Sequence, residues 1–121
     1  MPTFKRFEDI LAWQKARLVT KSIYNVSKRG EFARDFGLRD QMRRASVSIM
    51  ANIAEGFARR SDKDFANFLN MARSSAAEVQ SHLYVALDQE YIDQAAFTDI
   101  YTQLEDISKM IFALAKHLVI N

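Results

Sequence analysis

The chain has no cysteine, a single proline, Pro2, and only three glycines in 121 residues. Without cysteine there are no disulfides and no thiolate-held metal site. So few breakers and turn-formers allow only a few loops between long uninterrupted elements, which predicts an all-α fold. Three scattered glycines also exclude a Walker or dinucleotide-type phosphate loop. No run approaches the roughly 18 apolar residues of a membrane span. The first residues, Met1 to Asp9, lack the apolar core of a secretory signal, so a cytoplasmic location with no membrane partner is expected. At this length a single domain, residues 1–121, can bury one core without staples.

Charge is present but unevenly placed. The net charge is +2, yet residues 1–60 hold 13 Lys/Arg against 6 Asp/Glu and residues 61–121 hold 4 against 9, giving halves of +7 and −5. Such a split fits either a nucleic-acid surface on the first half or mutual attraction of the two halves, within the fold or between subunits.

Apolar residues recur in alternating steps of three and four along four segments. The first runs from about Phe7 to Lys28, with Ala12, Ala16, Val19, Ile23 and Val26 in its seam and Leu11 and Leu18 on a second stripe; Gly30 stops it. The second, about Leu38 to Ala58, has Leu38, Met42, Ala45, Ile49, Asn52 and Gly56 in its seam with Ile53 beside them. Ser61, with Asp64 three residues later, reads as a capping box opening the third helix. That helix carries Phe65, Leu69, Ala72, Ala76, Val79, Leu83 and Ala86 and ends near Gln89. Asp93 is the expected N-cap of the fourth, with Phe97, Ile100, Leu104, Ile107, Ile111, Leu114 and Leu118 in its seam. Four helices with short connections predict an antiparallel up-down-up-down four-helix bundle.

The second segment is unusual because it is apolar nearly all the way round. Between Ala45 and Ala58 only Ser46, Ser48, Asn52 and Glu55 are polar, and a helix without a solvated face is buried on more than one side. Val47, Met50, Ala54 and Phe57 project away from the seam and are candidates for an oligomer interface. Asn52 in the seam is suited to fixing helix register. Glu55 needs a partner if buried, for which Arg73 on the next helix is the candidate. Gly56 costs about 1 kcal/mol relative to alanine mid-helix, which implies close approach of another backbone.

Catalytic chemistry is hard to assemble. The two histidines are His82 and His117, and only His82 has a carboxylate at helical spacing, Glu78. Di-metal bundles require Glu-x-x-His on each of two helices with two further Glu, so no metal site is expected. No serine lies in a glycine-rich turn with a histidine placed to activate it. The expectation is a protein that is not an enzyme and holds no cofactor. The basic residues give the remaining lead: Arg39, Arg43 and Arg44 early in the second helix, Arg59 and Arg60 after it, and Lys15, Arg17, Lys21, Lys28 and Arg29 along the first. Their forks and ammonium groups suit phosphate, while Asp35, Asp40 and Glu55 among them blunt the field.

Three stretches carry a family resemblance: F-E-D-I-L-A-W-Q-K-A-R from Phe7 to Arg17, Q-M-R-R-A-S-V-S-I-M-A-N-I-A-E-G-F-A-R-R from Gln41 to Arg60, and F-A-N-F-L-N-M-A-R-S-S-A-A-E from Phe65 to Glu78. Together they resemble the bacterial four-helix bundle proteins of the 23S rRNA-intervening-sequence protein family, with S-I-x-x-N-I-A-E-G as the most specific motif. Met50 stands where proline is common in the family, and Ser74 where glycine is common. The resemblance implies cytosolic homopentamers of four-helix bundles. The family name records genomic position, within insertions in 23S rRNA genes, and no activity. A related branch, the accessory variability proteins of diversity-generating retroelements, forms basic pentamers that bind nucleic acid and a reverse transcriptase. Carried over, that implies Arg43, Arg44, Arg59 and Arg60 as contacts to RNA or DNA; the alternative is a structural or protein-interaction scaffold.

Overall fold

The computed structural model describes residues 4–120, so residues 1–3, at the start of the stretch read for a signal, lie outside it. It is all-helical: α1 is Leu11–Ser27, α2 Phe36–Phe57, α3 Asp62–Asp88 and α4 Gln94–Ile120, with 3-10 turns at Phe7–Asp9 and Gly30–Arg34. No strand occurs among the described residues, and no helix among them is long and apolar enough to cross a membrane.

Each helix boundary has a local cause. The first segment was expected to be helical from Phe7; instead Ile10 is extended, with φ −76° and ψ 118°, and separates a turn from α1. The Asp9 carboxylate holds that turn by accepting from the Lys5 and Arg6 amides at 3.1 and 3.3 Å. Ile10 thereby enters the core almost fully buried. Gly30, at φ 51°, stops the chain after α1 in a conformation that L-residues disfavour. Asp35 caps α2, Oδ1 accepting from the Leu38 amide at 3.1 Å, so that helix starts two residues before its expected first residue. Ser61 Oγ accepts from the Asp64 amide and Asp93 Oδ1 from the Ala96 amide, as their positions predict. After α3, Glu90 takes φ 61°, while the Glu90 and Tyr91 amides donate to Leu87 and Ala86 carbonyls. These are the two bonds of a Schellman motif.

The helices pack in a cycle, α1 on α2, α2 on α3, α3 on α4 and α4 on α1, around one apolar cluster. The expected seam residues of α3 are all buried, and so are Ala12, Ala16, Val19 and Ile23 of α1. The seam assignments change at four places. In α1, Ser27 is buried and Val26 only half-buried, and Leu38 at the start of α2 is half-buried as well. In α4, Ala115 is buried and Leu114 only half-buried. In α2, Ile53 is fully buried, whereas Asn52 is half-buried and turned along its own helix, donating to the Ser48 carbonyl and Oγ at 3.0 Å each. Ser75 Oγ donates to the same Ser48 Oγ at 3.0 Å. Asn52 therefore braces a serine link between α2 and α3 rather than filling the core, because burying its amide would leave donors unpaired.

The close approach expected at Gly56 is present. A Cβ there would stand 2.6 Å from Phe68 Cβ, 3.0 Å from Phe65 Cδ1 and 3.3 Å from the Phe65 carbonyl oxygen.

A second junction joins the two connectors that carry 3-10 turn and Schellman geometry. Tyr91 Oη donates to Asp35 Oδ2 at 3.0 Å, and its ring stacks on fully buried Phe32 at 5.1 Å between centroids. The Asp35 hydrogen bond, followed by burial, raises the Tyr91 pKa above 10.0. A raised tyrosine value means the bond contributes fully below about pH 10 and fades as pH climbs through the raised value. Asp35→Ala removes both the cap and this bond. A loss of about 1–2 kcal/mol is expected in urea melts at neutral pH, together with a weaker fall of stability on the alkaline side.

Candidate functional site

The residues singled out for phosphate contact do not form one patch. Arg43 is half-buried between helices: its Nε donates to Ser27 Oγ at 2.8 Å, and its guanidinium lies 4.7 Å over the Tyr24 ring. Arg59 pairs with Glu55 at 3.2 Å and lies 4.7 Å over Phe68. Arg44 and Arg60 are exposed and have no ion pair among the described residues. At 1.5 Å per helical residue, roughly 20 Å of helix separates Arg43–Arg44 from Arg59–Arg60. The arrangement Glu55–Arg59 also replaces the expected Glu55–Arg73 pair. Glu55 is exposed and one helical turn from Arg59, so it needs no partner from α3.

A basic row lies instead along α1 and the two residues that follow it, joined by Arg43. From Ile10 to Gly30 the sequence has five Lys/Arg, namely Lys15, Arg17, Lys21, Lys28 and Arg29, and no acid. All five are exposed, and none has a carboxylate within 4.0 Å among the described residues. Arg17, Lys21, Tyr24 and Lys28 follow steps of four, three and four, which places them on one helical face. Tyr24 is 41% exposed and carries the Arg43 guanidinium on its ring, so an aromatic face sits inside the cationic row. Beside the row, Trp13, Gln14, Arg17, Leu18 and Lys21 line a shallow depression of about 320 Å³. The sequence places these cations along the first helix but the candidate contacts were taken from the second; the acid-free run from Ile10 to Gly30 was the signal that sets the first apart.

The interface candidates of α2 are divided by the fold. Val47 is exposed, while Met50, Ala54 and Phe57 are half-buried. Met50 and Phe57 pack against the protein's own core, Phe57 edge-on to Phe65 at 6.1 Å. Part of the second apolar surface of α2 is thus covered from within the chain.

No group of three or more His, Cys, Asp or Glu side chains able to hold a metal occurs among the described residues. His82 Nε2 lies 3.3 Å from Glu78 Oε2, one helical turn away, which makes a surface pair rather than a ligand set.

These elements are those of a described family. The family model of the 23S rRNA-intervening sequence protein matches residues 8–113, nearly the whole described chain. The chain belongs to this family. A crystal structure of a protein of unknown function from the S23 ribosomal protein family of Bacteroides thetaiotaomicron is similar, with a TM-score of 0.81 and 27% identity over 88% of this chain and 99% of that one. No curated protein matches the chain. For a 23S rRNA-intervening sequence protein, α1, the Gly56 contact and the start of α3 all fall within the matched span.

Proposed function

We propose that this 23S rRNA-intervening sequence protein is a non-enzymatic, cytoplasmic homopentamer of antiparallel up-down-up-down four-helix bundles that binds RNA or DNA through phosphate contacts along α1. The acid-free, unpaired basic row on α1 carries the reading. Lys and Arg without local carboxylates are free to displace counterions from a phosphate backbone, and an exposed tyrosine among them offers a face for a base. Support for the topology comes from pairs at matching ends: Arg43 with Ser27, Thr20 with the Ser46 carbonyl, and Gln80 with the Tyr101 carbonyl. Support for assembly comes from exposed apolar side chains on every helix, among them Leu18, Val47, Met71 and Val119. Repetition round a ring would multiply contacts that are weak in one copy.

The test is fluorescence anisotropy of labelled duplex DNA and structured RNA at several salt concentrations, with the oligomeric mass measured by sedimentation. Binding that weakens linearly on logarithmic axes as salt rises is expected. Arg17→Gln combined with Lys21→Gln lowers the duplex slope by about 1.8 per engaged protomer, at ~0.9 per phosphate contact. One observation favours a scaffold instead: Asp88, Glu90, Asp93, Asp99 and Asp106 are exposed on the second half and complement α1 of a neighbouring copy. Absence of binding at low salt, with a mass that falls as salt rises, would establish that reading in place of the first.

A further inference from the structure

A groove of about 590 Å³ lies between α3 and α4, with no α1 residue in its lining. Asn70, Arg73 and Gln80 line it from α3; Tyr101, Glu105 and Lys109 line it from α4. Arg73 is half-buried, its guanidinium 4.8 Å over the Phe112 ring. Its Nε is covered from solvent and has no hydrogen-bond acceptor. No carboxylate stands within 4.0 Å of Arg73 or of Lys109 among the described residues.

A guanidinium drawn partly out of water normally recovers its solvation from a carboxylate or phosphate, most effectively through a forked pair of N–H donors. The Phe112 ring under the guanidinium attracts its charge but supplies no acceptor. Around it the groove offers further donors, the Asn70 amide and the Ser108 hydroxyl, and a second cation, Lys109. Glu105 is the one acid in the lining, so its ionised groups sum to +1. We propose that this groove is a binding site for a small molecule bearing a carboxylate or phosphate group, gripped by the Arg73 fork with Lys109 as the second cation.

The Arg73 Nε–H resonance reports the site directly, because a covered N–H exchanges slowly with water. Titration of the full-length protein with inorganic phosphate, and separately with acetate, at ionic strength held constant by chloride, is expected to move that resonance saturably. The stronger response of the two identifies which oxyanion the groove prefers. Lys109→Gln, an exposed change that leaves the core untouched, is expected to weaken the response about tenfold, the lower end for a charge-assisted contact. Arg73→Lys is expected to abolish saturation at the backbone amides of Ser74 and Ser108. A resonance that stays still, that moves equally with chloride, or that moves with protein concentration in the absence of either anion would overturn the proposal. Because α1 is not involved, loss of nucleic-acid binding by the Arg17 and Lys21 variants leaves this result unaffected.

Discussion

Truncating Phe32 to alanine is expected to destabilise the protein by about 3–5 kcal/mol, measurable as a shift of the urea midpoint. The ring is fully buried in the 3-10 turn between α1 and α2, where it stacks on Tyr91 from the α3–α4 connector. Its loss removes apolar burial, an aromatic contact worth about 0.5–1.5 kcal/mol, and the support that holds the Tyr91 hydroxyl on Asp35. The cavity would form between two connectors that their helices hold in place, so collapse recovers little of the cost. Phe32→Leu, which keeps most of the volume, is expected to lose less than half as much. Equal losses for the two variants would mean that the ring matters for stacking and not for filling space.

Gly56→Ala is expected to destabilise as well, by about 1–3 kcal/mol from overpacking, although alanine is favoured over glycine by about 1 kcal/mol within a helix. The two effects have opposite signs, and distance decides between them. At 2.6 Å from Phe68 Cβ, the added methyl meets an atom fixed to the α3 backbone, which cannot swing aside as a side-chain end would. The helices must separate, and Phe65, which shares the contact and meets Phe57 edge-on, moves with them. Thermal melting of the variant checks the sign: a raised midpoint would show that α2 and α3 can part at that point without cost.

The fold was legible in sequence where one physical signal dominated. Alternating steps of three and four placed most core residues of the four helices, because burial is a property of helix faces and the steps define a face, while Ile10, Phe32 and Ile92 enter the core from outside the helices and carry no such signal. Ser61 and Asp93 were readable as caps because each stands immediately before a periodic run. Asp35 was missed because it follows a short turn and does two tasks, one of them with Tyr91, 56 residues away, a separation that no local pattern reveals. Asn52 was misread for a related reason: period alone puts it at the seam, and only the serines of α2 and α3 show why it turns aside.

The candidate sites were less legible. The family resemblance implied Arg43, Arg44, Arg59 and Arg60 together, but a helix spreads neighbours in sequence along its length, and two of the four are occupied by Ser27 and Glu55. What distinguishes a cation available for a ligand is the lack of a nearby carboxylate, which depends on packing. Along α1 that lack was visible in advance, since the run contains no acid. At Arg73 it was not, because Glu55 was an equally reasonable partner until the course of α2 was known.

The Asp35–Tyr91 and Phe32–Tyr91 contacts also bear on how the molecule opens. They fasten the connector of α1 and α2 to the connector of α3 and α4, so neither helix pair can swing outward from that end without first releasing the other. The four helices are therefore coupled at their linkers as well as through the core, and unfolding from this end engages both pairs at once.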